Sequence, residues 1–542
     1  MAPNQHEVML RPEEVAPIVE KEPNPVLPTM NVTTYTSKQP DEESQDFECE
    51  TQSGMRSLVR QAVLAFVVCL SAVHGGFIVG YSNILLPQLN TTNSSLHADM
   101  DTASSIAMVY TIASPLGSLL CGVLMSYIGR KTTMQLGFVI FIPGWLLITF
   151  AQNHIMIYIG IVIDGIAKGL TAGAPIVLLD ELADPRIRGV LCCLGFVFMS
   201  LGIFLVSMLG VLWSWQLVAG VSAVLALVCL ISQFFVVESP IWLARCGRSK
   251  AAERALNWVW GPGRETEAKR DLDKILSNIQ AEERERISSN SNNWKMLLRA
   301  RVLKPFLIIH AFNLFQIICG TNILIFFSLA IMQKVDEIPA VAEADGVDSK
   351  LSTVLISIVR VIFIVIACFL LFWINRRPLA IVSGIGCSLM AFLLGTFLYI
   401  QATSAFDIPG SSWIATALVL GFVAANTCGF FVLPSVMMGE VLPSKIRSVA
   451  CGYIYAINDV GMCFAIKSFP AMSESLGAHG LFWIFAVASV ACTLLVYLLL
   501  PETQGKSLEQ IEDYFAQSNV MYITRKRHQS SPLVKRSTKI FS

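Results

Sequence analysis

The feature that most constrains this chain is a series of apolar blocks, each long enough to cross a lipid bilayer. A bilayer core about 30 Å thick needs roughly 20 helical residues at a rise of 1.5 Å each. Only 14% of the 542 residues are charged, against about 25% in a typical soluble domain. The sequence therefore predicts an all-α membrane protein with twelve transmembrane helices. The predicted spans are 61–86, 103–125, 133–151, 155–179, 189–212, 215–236, 304–332, 351–374, 378–401, 411–438, 448–469 and 477–500.

The composition also excludes several other classes of protein. The 39 basic and 39 acidic side chains balance, so there is no electrostatic case for nucleic-acid binding. The 14 cysteines lie mostly in apolar blocks and form no CxxC pair, which predicts neither a disulfide framework nor a zinc site. No histidine and carboxylate cluster has catalytic or metal-binding spacing, so we expect no enzyme, no metal ion and no cofactor. No pore-loop repeat or ring of like charge indicates an ion channel.

The charges of the short loops predict the orientation of the helices in the membrane. Basic residues such as Arg130, Arg376 and Lys445 collect in alternate loops, and acidic residues collect in the others. Because loops rich in lysine and arginine face the cytoplasm, both termini are predicted to be cytoplasmic. Asn90 and Asn93 then begin glycosylation sequons in the first outside loop.

Polar stretches divide the chain into five predicted parts. Residues 1–58 are polar and proline-bearing, with no signal-peptide core, and are predicted to be a disordered cytoplasmic tail. Two six-helix bundles follow at 59–237 and 304–500. The stretch 238–303 has apolar residues at helical spacing and is predicted to be a cytoplasmic helical loop. Residues 501–542 form a second cytoplasmic tail.

The two predicted bundles repeat the same three loop motifs in the same order. Ile128-Gly-Arg130-Lys follows the second span, as Ile374-Asn-Arg376-Arg follows the eighth. The fourth and tenth spans each end in an acid followed seven residues later by a basic residue, at Glu181 and at Glu440. Acids also follow the sixth and twelfth spans, at Glu238 and Glu502.

These motifs resemble those of the sugar porter family of the major facilitator superfamily, from about residue 60 to 515. Val237-Glu-Ser-Pro-Ile-Trp-Leu is similar to the family's PESPxWL, and Pro501-Glu-Thr-Gln-Gly-Lys-Ser-Leu to its PETKGxSLEE. Ser126-Tyr-Ile-Gly-Arg-Lys and Leu442-Pro-Ser-Lys-Ile-Arg are similar to the insect facilitated trehalose transporters. The resemblance implies two pseudo-symmetric six-helix bundles that alternate access to a central site. We expect a monomer in the lipid bilayer.

The resemblance also implies that the loop charges form a cytoplasmic gate. They are expected to pair within each half, to hold the inner ends together when the cavity faces outward, and to part when it opens inward. The alternative is that they only mark the cytoplasmic face. The predicted gate residues are Arg130, Glu181, Arg188 and Glu238 in the first half and Arg376, Arg377, Glu440, Arg447 and Glu502 in the second.

Span seven carries the most family-like part of the predicted substrate site. Gln316 and Asn322 match two sugar-contacting amides of the family's QQxxGxN motif, although such amides also tie membrane helices together. Other contact positions depart from the family. Alignment to it places Phe196 at a usual glutamine, Arg360 at an asparagine, and Ser435 and Asp459 at tryptophans, with Asn458 beside the last.

Four charged residues lie well inside predicted spans, where an isolated charge is unfavourable. Lys467 lies near the end of its span and can extend to the membrane surface. We expect Arg360 and Asp459 to face one cavity and to pair; alternatively, Arg360 binds an acidic group of the substrate. Asp164 and Lys168 lie one helical turn apart and are predicted to pair locally.

The expected function is facilitative transport of a sugar, such as a hexose or a trehalose-like sugar, across the plasma membrane. Proton-coupled sugar porters commonly carry an aspartate after Gly-Tyr in span one, where this chain has Ser82. That favours facilitated diffusion, although Asp164 or Asp459 could serve as a proton site. The alternatives are a transporter of a charged or carboxylated solute and a non-transporting sugar sensor.

Overall fold

The computed structural model describes residues 40–89, 100–182, 188–289, 300–327, 331–332, 349–403, 411–442, 447–504, 511 and 514–515. The chain separates into two compact units, residues 1–52 and 53–542. Residues 40–52 of the first unit are helical, so the first helix begins earlier than the predicted boundary at 59. The second unit contains every described helix that is long and apolar enough to cross a membrane.

Seven helical segments build the first half of the bundle. Helices α4 and α5 are separated only at Gly173 and together make one crossing, His154–Leu182. The half therefore contains six crossings, as predicted. Its helices are α1 (Pro40–Leu89), α2 (Met100–Tyr127), α3 (Arg130–Thr149), α4 (His154–Ala172), α5 (Ala174–Leu182), α6 (Arg188–Leu212) and α7 (Trp215–Gln233).

Three shorter helices follow in the polar stretch between the halves. They are α8 (Pro240–Arg245), α9 (Ser249–Trp260) and α10 (Glu265–Ser289). Ser239 caps α8 by accepting a hydrogen bond from the Trp242 backbone N–H. Trp242, Leu256 and Leu272 pack into a small apolar cluster shared by the three helices. This cluster buries the apolar stripe that their helical spacing predicts.

The second half repeats the first with two interrupted crossings. Helix α11 stops at Ile318 and resumes as α12, and α15 stops at Cys428 and resumes as α16. The 53-residue helix α17 bends at Gly477 (φ 68°, ψ 175°) and so crosses twice. The helices are α11 (Ala300–Ile318), α12 (Ile323–Phe326), α13 (Ser349–Trp373), α14 (Arg376–Thr403), α15 (Ser411–Cys428), α16 (Leu433–Val441) and α17 (Arg447–Leu499).

The predicted count of twelve crossings is confirmed once these interruptions are considered. Hydropathy and length select ten segments of the described chain, and one of them, Val449–Leu499, contains the bend at Gly477 and is two crossings. The twelfth is α11, whose apolar part, Leu303–Ile318, is short because the helix is interrupted. The architecture is a major facilitator fold.

The two halves meet along two pairs of helices, α2 with the first part of α17 and α6 with α13. At the first contact, a Cβ atom added to Gly452 would lie 2.6 Å from the Ser118 carbonyl oxygen and 2.9 Å from the Gly122 Cα. Small residues allow membrane helices to approach this closely. The side chains that flank this contact can therefore reach from one half into the other.

Candidate functional site

The charges of the first half's loop motifs form a compact cluster at one end of the bundle. We call this the basic end, because the loops that carry Arg130 and Arg376 lie there. The Arg130 Nη2 is 2.8 Å from the Glu181 Oε1, and both side chains are 6% exposed. The Glu238 Oε1 accepts hydrogen bonds from the backbone N–H groups of Arg130 (3.0 Å) and Lys131 (3.2 Å). These N–H groups begin α3 and have no helical partner, so Glu238 caps that helix.

The second half builds the same cluster from its own motifs. The Arg376 Nη2 is 3.1 Å from the Glu440 Oε1. The Glu502 carboxylate accepts from the backbone N–H groups of Arg376 and Arg377, each at 3.2 Å, at the start of α14. Arg377 directs its side chain elsewhere and donates to the Tyr497 carbonyl oxygen at 2.6 Å. Arg376 is therefore the counterpart of Arg130 in the repeat.

The sequence predicted that Arg447 pairs within its own half, but among the described residues its ion pair is with the other half. Its Nη1 is 3.9 Å from the Asp180 Oδ2, and the two side chains are only 5% and 3% exposed. Asp180 belongs to α5 of the first half, so this pair connects the halves at the basic end. Gly439 leaves room for Asp180 here, because a Cβ atom added to it would lie 2.2 Å from the same Asp180 oxygen. The side chain of Arg188 lies outside the described residues.

The interrupted helices of the second half place unwound backbone next to each other. Between α11 and α12 the chain passes through Gly320 with φ 82°. The Asn426 Nδ2, near the end of α15, donates to the Thr321 Oγ1 at 2.7 Å and connects the two breaks. The Gln316 Nε2 donates to the Phe431 carbonyl oxygen at 3.3 Å. A predicted substrate residue thus satisfies a carbonyl that the interrupted helix leaves without a partner.

Phe431 brings together three of the residues predicted for the substrate site. Its ring centroid is 5.4 Å from the Arg360 Cζ and 5.6 Å from the Phe196 ring, which meets it edge-on at 75°. Its carbonyl group accepts from Gln316. Phe196 lies on α6 and the other three residues lie in the second half, so this cluster spans the boundary between the halves. We call these four residues the Phe431 cluster.

Arg360 is a buried charge that has no ion-pair partner among the described residues. It lies near the middle of the 25-residue helix α13 and is 3% exposed. Among the residues that the structure describes, no carboxylate pairs with Arg360. Its one electrostatic contact there is a cation–π interaction with the Phe431 ring. A cation over an aromatic face gains about 2 kcal/mol when desolvated, whereas a charge at the bilayer centre costs at least about 2.5–3.5 kcal/mol. The ring alone does not offset that cost.

Asp459 is fully engaged by the first half of the bundle. Its Oδ1 is 2.5 Å from the Lys168 Nζ, and its Oδ2 accepts hydrogen bonds from the Ser114 Oγ (2.7 Å) and the Ser118 Oγ (3.1 Å). The predicted pairing of Arg360 with Asp459 is therefore wrong. The close contact of α2 with α17 directs Asp459 towards the first half, while the helix of Arg360 packs against α6 and α15.

The predicted local pair of Asp164 with Lys168 is wrong as well. Asp164 is 3% exposed, and neither carboxylate oxygen has a hydrogen-bond partner among the described residues. It lines a cavity of about 30 Å³ with Tyr81, Ser82 and Trp145, which is enough for about one water molecule. Ser82, which replaces the expected aspartate of span one, thus shares a cavity with an acid from α4.

Comparison with known proteins decides the family. The family model for sugar (and other) transporters matches residues 63–515. This chain belongs to the sugar transporter family. Its relatives include the facilitated trehalose transporter Tret1 of Culex quinquefasciatus, 31% identical over 455 residues, which cover 83% of this chain and 85% of the relative. The Bombyx mori Tret1 is 28% identical, with coverage of 83% and 86%. The match covers only 55% of the Anopheles gambiae relative.

Solved structures show the same fold for this sugar transporter family member. The proton:xylose symporter XylE bound to 6-bromo-6-deoxy-D-glucose superposes with a TM-score of 0.68 at 21% identity, over 84% of this chain and 100% of that one. Inward-open XylE from E. coli gives a TM-score of 0.63 at 20% identity. Both are named as transporters, and the family shown above is one of transporters, as the sequence led us to expect.

The other residues predicted for the substrate site and for glycosylation of this transporter are placed as follows. Asn322 is partly buried, and its carbonyl oxygen accepts hydrogen bonds from the backbone N–H groups of Ile325 and Phe326 in α12. Ser435 lies beside Tyr455. The Asn458 Oδ1 is buried without a hydrogen-bond partner in the described part of the chain. The sequons at Asn90 and Asn93 lie outside the described residues.

Sequence reasoning missed several residues that the structure places in these contacts. Asp180 directly precedes the motif acid Glu181, and that neighbouring acid was a signal for a second pair. Phe431 sits between Gly429 and Pro434, and this spacing indicates an interrupted helix. Ser114 and Ser118 are ordinary in a membrane helix, and nothing local in the sequence associates them with an acid some 340 residues away.

Proposed function

We propose that this protein carries a sugar or a small polyol across the plasma membrane by facilitated diffusion with alternating access. The observation that carries the proposal is the Phe431 cluster, where an amide and two aromatic rings converge on unwound backbone between the halves. Amides hydrogen-bond sugar hydroxyls, and aromatic faces pack against the C–H side of a sugar ring. The names of the Tret1 relatives support a sugar as the solute.

Alternating access requires contacts between the halves that break and re-form. The Arg130 and Arg376 clusters each lie within one half, and we propose that they keep the ends of that half together as it moves. The pairs that have to part at the basic end are Arg447 with Asp180 and, deeper in the membrane, Lys168 with Asp459. The predicted gate thus consists of two stable clusters and a set of pairs between the halves.

The opposite end of the bundle has its own contact between the halves. The Asn83 Nδ2 of α1 donates to the Ile325 carbonyl oxygen of α12. We propose that these contacts at the two ends belong to a state in which the centre is closed to both sides, and that opening towards either side breaks one set. We further propose that the basic end faces the cytoplasm, that both termini lie there, that the protein is monomeric, and that Asn90 and Asn93 carry glycans.

Ser82 favours transport without proton coupling, because a hydroxyl group does not gain or lose a proton near neutral pH. A second candidate is proton-coupled uptake. The observation that favours it is the unpaired Asp164 carboxylate in the same cavity as Ser82. The two candidates differ in whether an inward proton gradient drives accumulation of the solute.

Uptake by purified protein in proteoliposomes tests the proposal directly. We expect radiolabelled trehalose or glucose to equilibrate across the membrane, without accumulation when the outside is acidified. Gln316→Ala should reduce the uptake rate about 10-fold, because a buried carbonyl and a sugar hydroxyl both lose a partner. The matched control is Gln280→Ala on the exposed surface of α10, which should leave the rate unchanged. Uptake no faster than in empty liposomes would overturn the proposal, and proton-driven accumulation would favour the second candidate.

A further inference from the structure

Arg360 presents a problem that the transport of neutral sugars does not explain. A guanidinium group stays protonated in proteins, so it cannot become neutral when it is buried. Arg360 is 3% exposed near the middle of a membrane-spanning helix. Such a charge normally has a partner or faces a water-filled path. The question is which group provides the compensating negative charge.

Neither of the two acids that lie deep within the described spans balances the charge of Arg360. Asp459 contacts Lys168 at 2.5 Å and two serine hydroxyls, so its charge is already balanced. Asp164 lines a separate cavity in the first half, among Tyr81, Ser82 and Trp145. Every other ion pair within the described ranges also excludes Arg360. The protein itself, as far as the structure describes it, leaves this cation without an anion.

The surroundings of Arg360 are those of a binding site for a ring that carries an acid. The guanidinium lies over the Phe431 ring at 5.4 Å, and the Phe196 ring meets Phe431 from the other half. The Gln316 Nε2 donates a hydrogen bond to the backbone carbonyl oxygen of Phe431. Arginine binds a carboxylate through two parallel N–H···O bonds. Within one cluster there is thus a cation for a carboxylate, an amide for hydroxyl groups and aromatic faces for a ring.

We propose that the solute carried by this protein is a sugar with one carboxylate group, and that Arg360 binds this carboxylate. The proposal rests on the proposed function, because it names the class of sugar that the transporter takes. The carboxylate provides the charge that Arg360 lacks, and the solute is monoanionic because one guanidinium balances one charge. The Phe431 ring, 5.4 Å from the Arg360 Cζ, provides no oxygen acceptor for the guanidinium N–H groups, so these can donate to the carboxylate.

The sharpest test compares two sugars that differ only at this group. D-Glucuronate has a carboxylate where D-glucose has a CH₂OH group, and the methyl ester of glucuronate removes the charge while adding one methyl group. With wild-type protein in proteoliposomes, we expect glucuronate to be taken up with a kcat/KM about 10- to 100-fold higher than glucose, the ratio that a charged hydrogen bond provides. We also expect glucuronate, and not its methyl ester, to compete with labelled solute.

Variants of Arg360 then assign the preference to this residue. Arg360→Gln should abolish the preference for glucuronate, and Arg360→Lys should keep part of it, since it keeps the charge but not the paired N–H groups. Arg254→Gln, at an exposed arginine of α9, is the matched control and should change nothing. If Arg360→Gln does not fold, Arg360→Lys still tests the assignment to this residue, and the comparison of glucuronate with its methyl ester in the wild type still tests the need for a carboxylate.

The outcomes separate this inference from the function on which it rests. Uptake of glucose or trehalose with no preference for glucuronate would overturn the inference and leave sugar transport standing. A preference for glucuronate that persists in Arg360→Gln would also overturn it. Uptake and competition by none of the sugars would overturn both. Uptake of glucuronate alone would support the inference and restrict the proposed function to acidic sugars.

Discussion

Lys168 and Asp459 form an ion pair that joins the two halves of the bundle inside the membrane-spanning region. The Nζ and Oδ1 atoms are 2.5 Å apart, and Ser114 and Ser118 donate to the other carboxylate oxygen. The pair is neutral overall, so it can be buried between α4 and α17. Either partner alone would be an uncompensated charge at the interface between the halves.

We expect this pair to appear as a thermodynamic coupling. Lys168→Gln and Asp459→Asn should each lower the unfolding free energy, by about 1–3 kcal/mol; this is below the usual loss for a buried pair because the Lys168 side chain is 22% exposed. The double variant should lose less than the sum of the two. Thermal unfolding of purified protein in detergent measures all four states of the cycle. Arg360→Gln combined with Asp459→Asn is the control and should be additive.

Additive losses for Lys168 and Asp459, or a coupling of Arg360 to Asp459, would contradict this arrangement. The same cycle also tests whether the Asp459 carboxylate balances the charge of Arg360. The proposal that Arg360 binds a carboxylate of the solute requires that it does not. The measurement therefore tests one premise of the inference from Arg360 without any transport assay.

A charge exchange should identify the arginine that pairs with Glu440. Glu440→Arg should reduce uptake at least 10-fold, because it replaces the carboxylate that lies 3.1 Å from the Arg376 Nη2 by a second guanidinium group. Adding Arg376→Glu should restore part of the activity, and adding Arg447→Glu should not, since Arg447 contacts Asp180. Uptake is normalised to the amount of protein in the membrane. Rescue by Arg447→Glu instead would return Glu440 to a pair with Arg447.

Native cysteines can report the opening of the basic end. Cys451 lies one turn after Arg447 on α17 and is 1% exposed, whereas Cys246 is exposed. Asp180→Asn removes the charge that faces Arg447, so we expect maleimide to label Cys451 several-fold faster than in the wild type. Mass spectrometry of the labelled peptides measures the rate at each cysteine. Cys246 is the internal control and should react at the same rate in both proteins; an unchanged rate at Cys451 would show that this pair does not hold the end closed.

Gly320 should tolerate no side chain at the break between α11 and α12. Its φ is 82°, and an added Cβ atom would lie 2.6 Å from the Phe485 ring. We expect Gly320→Ala to cost about 1–3 kcal/mol of unfolding free energy, with a corresponding fall in melting temperature. Gly75→Ala is the matched control, since nothing lies within 4 Å of its added Cβ atom. Equal melting temperatures for the two variants would contradict the backbone conformation described for the break.

The sequence by itself determined the class, the number of crossings and the repeat. These depend on patterns that are local: block length against bilayer thickness, and three loop motifs that recur in order. The clusters of Arg130 with Glu181 and of Arg376 with Glu440 could be predicted from the sequence for the same reason. Each cluster joins motifs of a single half, and the two halves are copies of one another.

Only the tertiary structure decided which charges face each other across the halves. The partners of Asp459 and of Arg447 depend on how α2 meets α17 and how α5 meets the second half, and nothing in the spacing along the chain encodes those contacts. Local proximity was misleading for Asp164 and Lys168, which are one turn apart, because a stronger partner for the lysine lies on another helix. Arg360 remained without a described anion for the same reason: its helix packs against α6 and α15, and the acid that sequence alignment assigned to it faces the other half.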